Sequence, residues 1–245
     1  AVERAKGRGV DKEKAQETQK CAGKKLYSFL FEAKRRSQAV LLLLSGGSAF
    51  SLLEYVTSDV LGPHITAGVL DERFSTDENV SNFAQLVKTP FYQKAFSAGV
   101  LFVDTRVRNT ESQKEFAARF ENALREWRQE HPDGVVVATM GIGADGHTAG
   151  IMPFPENPVL FQELFEDEAR WVAGYDAGNK NPYQLRVTVT LSFLRTHVDH
   201  AVAYIVGEEK RGALKRVLTD VDTLAETPAC IFREMKHIQI FTNIA

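Results

Sequence analysis

The chain has 245 residues, 44% of them hydrophobic and 25% charged, an ordinary globular composition that excludes wholesale disorder. Its formal net charge of -2 gives no general pull toward nucleic acid or an anionic membrane, while leaving room for a local basic pocket that holds a small anion. Two cysteines, Cys21 and Cys230, with no Cys-x-x-Cys pair, argue against a disulfide scaffold or a structural zinc site and suit a reducing compartment.

Residues 11–36 read as a helix, because Ala15, Ala22, Leu26, Phe29, Leu30 and Ala33 recur at helical spacings with charges between them. Residues 1–10 are polar, lack the apolar core of a signal peptide and are expected as a flexible tail. The run 39–44 reads as a strand buried on both faces, as in parallel sheets, and is far shorter than the roughly 18 residues of a membrane span. It leads into Ser45-Gly46-Gly47-Ser48, with an apolar-periodic helix expected over 49–60. A second strand covers 65–70 and a third 99–103, before a long amphipathic helix over 111–130. His131-Pro132-Asp133-Gly134 breaks that helix, and 135–139 is another buried strand. Residues 154–168 mix prolines, acids and aromatics and suggest a loop with a short helix. Further strands are expected at 171–175, 185–191, 200–206 and 238–241, with a helix over 208–218. Strands alternating with helices predict one α/β domain over 1–245, an open, mostly parallel sheet with helices on both faces.

Such sheets bind ligands beyond the carboxyl ends of their strands. At these ends stand 45–48, 71–73, 141–147 and 207–210. In the first, Gly46 and Gly47 allow a sharp turn and a close backbone approach, and a helix start offers free N–H groups to an anion. Ser48 could cap that helix, and a plain capped turn is the simpler reading of the same residues. Asp71 and Glu72 should point to opposite faces of an extended segment, while Asp71 and Arg73 share one. That carboxylate and guanidinium suit a polar, anionic substrate, or form only a surface ion pair.

Gly141-Ile142-Gly143-Ala144-Asp145-Gly146 has the spacing of a dinucleotide-binding loop, but Pro153 and Pro155 leave too little room for the long helix such a loop requires. Read instead as Asp145-Gly146-His147, the glycine loop presents a histidine, the residue type best suited to take a proton from water. Asp145 would orient the ring or stabilise its charged form, and a structural loop histidine is the bland alternative. His64, His131, His197, His200 and His237 fit surface or packing roles, and no His-x-x-x-His or acidic loop suggests a metal.

Taken with Ser81-Asn82, Arg186-Val187-Thr188-Val189-Thr190 and Gly207-Glu208-Glu209-Lys210, these motifs resemble 6-phosphogluconolactonases over roughly 40–218, in a wider family that includes glucosamine-6-phosphate deaminases (isomerases). The resemblance implies a Rossmann-like sheet and hydrolysis of 6-phospho-D-glucono-1,5-lactone to 6-phosphogluconate in the oxidative pentose phosphate pathway, with no cofactor and no metal. It implies catalysis by His147 with Asp145, and substrate or phosphate contacts from Ser45, Gly46, Gly47, Ser48, Asp71, Arg73, Gly143, Arg186 and Lys210. It also implies a cytoplasmic enzyme, monomeric or weakly dimeric, whose partner is a phosphorylated sugar lactone rather than nucleic acid or membrane. Deaminases of the family usually carry a glutamate five residues after the loop histidine, where this chain has Met152. Ammonia release and proton transfer between carbons need more acid–base groups than lactone hydrolysis, so hydrolysis is preferred. A deaminase or sugar-phosphate isomerase and a non-catalytic sugar-phosphate-binding protein are the alternatives.

Overall fold

In a computed structural model of the chain, which describes the backbone of residues 2–244 and the side chains of residues 13–244, strand β1 (Val40–Leu44) is buried at every position. Its residues alternate between two cores: Leu41 and Leu43 pack into one, Val40, Leu42 and Leu44 into the other. Side chains on a strand point alternately to its two faces, so an unbroken apolar run is the signature of a strand covered on both sides. Around β1 lie β2 (Ile65–Val69), β4 (Leu101–Phe102), β5 (Val135–Met140), β8 (His200–Ile205) and β9 (Ile238–Thr242), all paired in parallel in the order β4-β2-β1-β5-β8-β9.

The chain builds outward from β1 through β2 to β4, then returns to the other side of β1 for β5, β8 and β9. The strand order therefore reverses between β1 and β5, and a crevice opens there at the carboxyl ends. On one face lie α1 (Val2–Arg35), which buries Ala22, Leu26 and Leu30, and α3 (Pro90–Ser97). On the other, α4 (Gln113–Glu130) presents Phe116, Phe120, Leu124 and Trp127 at helical spacing and begins with a capping box between Ser112 and Glu115. That box satisfies two N–H groups left open at the helix start and fixes where α4 begins. The same face carries α5 (Pro158–Phe165), α6 (Leu191–His197) and α7 (Arg211–Leu218).

Several sequence expectations change. The backbone over 2–10 continues α1 rather than forming a tail, while the side chains of 1–12 lie outside the described residues. The helix expected over 49–60 is a 3-10 helix at Gly47–Tyr55, followed by a second one at Ser58–Val60. Ala49 and Leu52, then Leu53 and Val56, are buried three residues apart, a spacing that suits three residues per turn. The helix expected over 208–218 divides into a 3-10 turn at Glu208–Lys210 and α7. The strands expected at 171–175 and 185–191 leave the main sheet. As β6 (Val172–Asp176) and β7 (Leu185–Val189) they form a separate antiparallel sheet with β3 (Asp71–Arg73), in the order β3-β7-β6.

β3 is positioned by Glu72, which is fully buried. Its carboxylate accepts from the backbone N–H groups of Asn82 at 2.6 Å, Phe83 at 2.9 Å and Arg73 at 3.0 Å, and from the Ser81 hydroxyl at 3.0 Å. It thereby closes the start of α2 (Asn82–Val87) and ties it to β3. Burial drives this carboxyl above its usual range, and the N–H donors of Phe83, Asn82 and Arg73 pull it partly back.

Candidate active site

Loop 141–147 leaves β5 at the switch point. Gly143 N–H donates to the His147 carbonyl at 2.9 Å and Gly146 N–H to the Gly143 carbonyl at 3.0 Å, so the loop closes on itself. Gly146 holds φ at +96°, a conformation that L side chains rarely adopt. The turn brings Nδ1 of His147 to 2.6 Å from Oδ1 of Asp145, and the same oxygen accepts from His147 N–H at 3.1 Å. A Cβ on Gly143 would stand 2.1 Å from Nδ1 and 2.5 Å from Asp145 Oδ1, so the pair occupies the space that a side chain at 143 would fill.

About a third of the His147 side chain is exposed (32%), and the Asp145 side chain is 46% exposed. Partial burial pushes the Asp145 carboxyl up, but hydrogen bonding and charge from His147 outweigh it and hold the group below its ordinary range. An ionised Asp145 accepts a hydrogen bond from Nδ1–H, which leaves Nε2 as the unprotonated ring nitrogen.

Loop 45–48 lies on the other side of the switch point. Ser45 N–H donates to the Thr139 hydroxyl at 3.0 Å and to the Thr139 carbonyl at 3.2 Å, fastening the end of β1 to β5. A Cβ on Gly141 would be 3.9 Å from both Ser45 Oγ and the Tyr204 carbonyl, which places the start of loop 141–147 between the ends of β1 and β8. Gly46 packs on Asn82, whose amide donates to the Asp71 carbonyl at 2.8 Å. Gly47 takes φ +65°. The residue before the 3-10 helix is Gly46 and no side chain caps it, so Ser48 is not the cap that the sequence suggested; it lies within the first turn.

Asp71 and Arg186 meet across the second sheet. Arg186 Nη2 donates to Asp71 Oδ2 at 2.7 Å, with 4% and 5% of the two side chains exposed. Arg186 also reaches Asn181 Oδ1 at 3.4 Å, while its buried Nε has no partner among the described residues. Arg73 sits directly opposite Arg186 in the β3–β7 register. Its guanidinium donates to the Val80 carbonyl at 2.7 Å and lies over the Tyr183 ring at 5.1 Å. Asp71 and Glu72 do point to opposite partners, as the extended segment predicts.

Beyond His147 the chain returns to this pair. A Cβ on Gly150 would be 2.9 Å from Asp71 Cβ and 3.0 Å from Thr188 Cβ. Gly150 N–H donates to the Thr188 hydroxyl at 3.1 Å. The Tyr175 hydroxyl donates to the Gly150 carbonyl at 2.5 Å and accepts from Met152 N–H at 3.1 Å, and burial drives its phenol well above the usual range. Lys210 follows β8, the strand next to β5, and its ammonium has no hydrogen-bond or ion-pair partner among the described residues.

The structure thus gathers Ser45, Gly46, Asp71, Arg186 and the 141–150 loop through direct contacts, and brings Lys210 to the same end of the sheet through strand order. Asn82 and Thr188 stood in the Ser81-Asn82 and 186–190 motifs but were given no role there, and sequence reasoning missed Tyr175 and Arg216, which look like ordinary strand and helix residues. Among the described residues no group of three or more His, Cys, Asp or Glu side chains is arranged to hold a metal ion, and no helix is long and apolar enough to cross a membrane.

The fold is shared with solved structures. A 6-phosphogluconolactonase from Shewanella baltica superposes with a TM-score of 0.71 at 21% identity, over 93% of this chain and 94% of that one. One from Trypanosoma cruzi gives 0.70 at 22%, over 93% and 91%. One from Thermotoga maritima gives 0.66 at 22%, over 91% and 94%. No curated protein matches the sequence. The family profile described as Glucosamine-6-phosphate isomerases/6-phosphogluconolactonase matches residues 13–241, which cover the main sheet, the second sheet and all four strand-end segments, and the chain belongs to that family.

Proposed function

We propose that the protein hydrolyses 6-phospho-D-glucono-1,5-lactone to 6-phosphogluconate, the lactone-opening step of the oxidative pentose phosphate pathway. The observation that carries this reading is the Asp145–His147 pair at 2.6 Å on a glycine loop beside the switch point. With Nδ1–H donating its hydrogen bond to Asp145, Nε2 takes a proton from water as the water oxygen bonds to the lactone carbonyl carbon. The negative charge moves onto the carbonyl oxygen and returns as the ring C–O bond breaks. The proton held on Nε2 passes to the departing ring oxygen, leaving a carboxylic acid that ionises in solution.

Ser45, Gly46, Gly47 and Ser48 with Lys210 form the side that would hold the phosphate, and Arg73 would stand near the substrate. Binding the remote phosphate would position the carbonyl over His147. Arg186 supports this side from within the buried pair. The same pair bears on the isomerase alternative: a carboxylate committed to Arg186 is a poor mobile base for moving protons between sugar carbons, and Met152 stands where the deaminases usually have glutamate.

The test is decay of freshly prepared 6-phosphogluconolactone with purified protein. Wild type should accelerate it, and His147→Ala should lose about 10²–10⁴ of the rate, the usual size of a general-base contribution. Full activity in His147→Ala would remove the histidine from the mechanism. Ammonia release from glucosamine 6-phosphate would replace the lactonase reading by the deaminase one.

A further inference from the structure

Arg216 lies in the last turn of α7, on the side of loop 141–147 away from Gly143. Its Nη2 donates to the backbone carbonyl of Asp145 at 3.2 Å, the residue whose side chain orients His147. Its Nε donates to the Thr227 hydroxyl at 3.0 Å and lies 3.3 Å from Asp222 Oδ2. Thr227 completes the triangle by donating to the same Asp222 oxygen at 2.6 Å. The next residue of the loop is gripped by the same segment: Ala229 N–H donates to the Gly146 carbonyl at 3.0 Å. A Cβ on Gly146 would meet Thr227 Cγ2 at 2.9 Å and Arg216 Nη2 at 3.2 Å.

Three donors or contacts from 216–229 therefore converge on two consecutive peptides of a loop whose backbone sits in a left-handed conformation. The loop's own hydrogen bonds close it, and because Gly146 within it adopts a conformation with φ +96° that a glycine readily leaves, the brace on its outer side adds to them in fixing where the Asp145 carboxylate stands. Lys210 immediately precedes α7, six residues before Arg216 and about 9 Å along the helix axis. One rigid helix thus joins the lysine on the proposed phosphate side to the carbonyl that fixes the proton-transfer pair.

We infer that Arg216 is a positioning residue: through the Asp145 carbonyl it holds Asp145 and His147 in register with Lys210. The inference rests on the lactonase reading for its kinetic arm only. Arg216→Met should lower kcat for the phosphorylated lactone by about 10–10²-fold with KM near wild type, the scale expected when reacting groups shift by about an ångström. Arg216→Lys, which keeps one donor, should recover part of the loss.

Side-chain nitrogen NMR of His147 gives a readout that needs no substrate: Arg216→Met should weaken the preference for the Nδ1–H form. Arg233→Met is the control, since Arg233 anchors the same segment through the Thr219 and Asp222 carbonyls and Asp220 without touching the loop. The inference is overturned if Arg216→Met keeps wild-type kcat and His147 signals, or if Arg233→Met lowers kcat as much for the same loss of stability. Should Arg216→Met not fold, Thr227→Val removes the hydroxyl between Arg216 and Asp222 and should shift both readouts the same way by less; no shift counts against the brace. If wild type does not hydrolyse the lactone, the functional reading fails, and the NMR comparison still decides whether Arg216 positions His147.

Discussion

Arg186 on β7 reaches Asp71 on β3 at 2.7 Å, and neither side chain keeps more than 5% of its surface exposed. The two residues are 115 positions apart in sequence. Their bond lies within the small antiparallel sheet, between β3 and β7, with Asp71 packed against Gly150. An arginine for which the family resemblance implies a phosphate contact is therefore first a member of a buried ion pair.

Removing one partner of such a pair leaves an uncompensated buried charge. Asp71→Asn should cost about 3–5 kcal/mol in unfolding free energy, read from urea denaturation, whereas replacing both partners by Leu and Met should cost far less. Lys210, whose ammonium has no such partner, should behave differently: Lys210→Met should leave the urea midpoint nearly unchanged and mainly raise KM. A purely kcat effect at Lys210 would contradict its proposed contact with phosphate.

Gly143→Ala separates geometry from stability. The added methyl would collide with the His147 ring at 2.1 Å, and the ring, being one-third exposed, has room to swing outward. The expected result is a loss of lactonase kcat approaching 10²-fold with a urea midpoint close to wild type. A large loss of stability with normal kcat per folded molecule would mean that the loop moves instead of the ring.

His197 supplies a pH test away from the site. It packs against Trp171, with ring centroids 4.1 Å apart. Burial lowers its pKa from 6.5 to about 4, helped by the charges of Arg128, Lys236 and Arg125. The unfolded chain then binds a proton below about pH 6.5 that the folded chain refuses until about pH 4, so stability falls as pH drops through that window. His197→Phe, which keeps the stacking surface, should flatten the decline. Equal slopes for the two proteins between pH 6.5 and 4.5 would assign the acid sensitivity to other groups.

Apolar runs were enough to place β1 and β5, because strands covered on both faces must be apolar throughout, and helical periodicity placed α4, because a helix on a core must repeat every three to four residues; β2, β8 and β9 also stand where they were expected. The strand-end positions of Ser45, Asp71, His147 and Lys210 follow from the same logic, since loops after parallel strands share one edge. What the chain alone could not decide is which side chains meet. β6 and β7 have the same apolar pattern whether they extend the main sheet or form a second one. The pairings Asp71–Arg186 and Arg216 with the Asp145 carbonyl join segments 115 and 71 residues apart, and Glu72 reaches across a loop to α2. No local rule encodes them. Burial enforces the Asp71–Arg186 and Glu72 pairings, because a charge enclosed by the packed layers must find a partner within reach; the more exposed Arg216 contact follows from where the tertiary fold sets α7 against the loop.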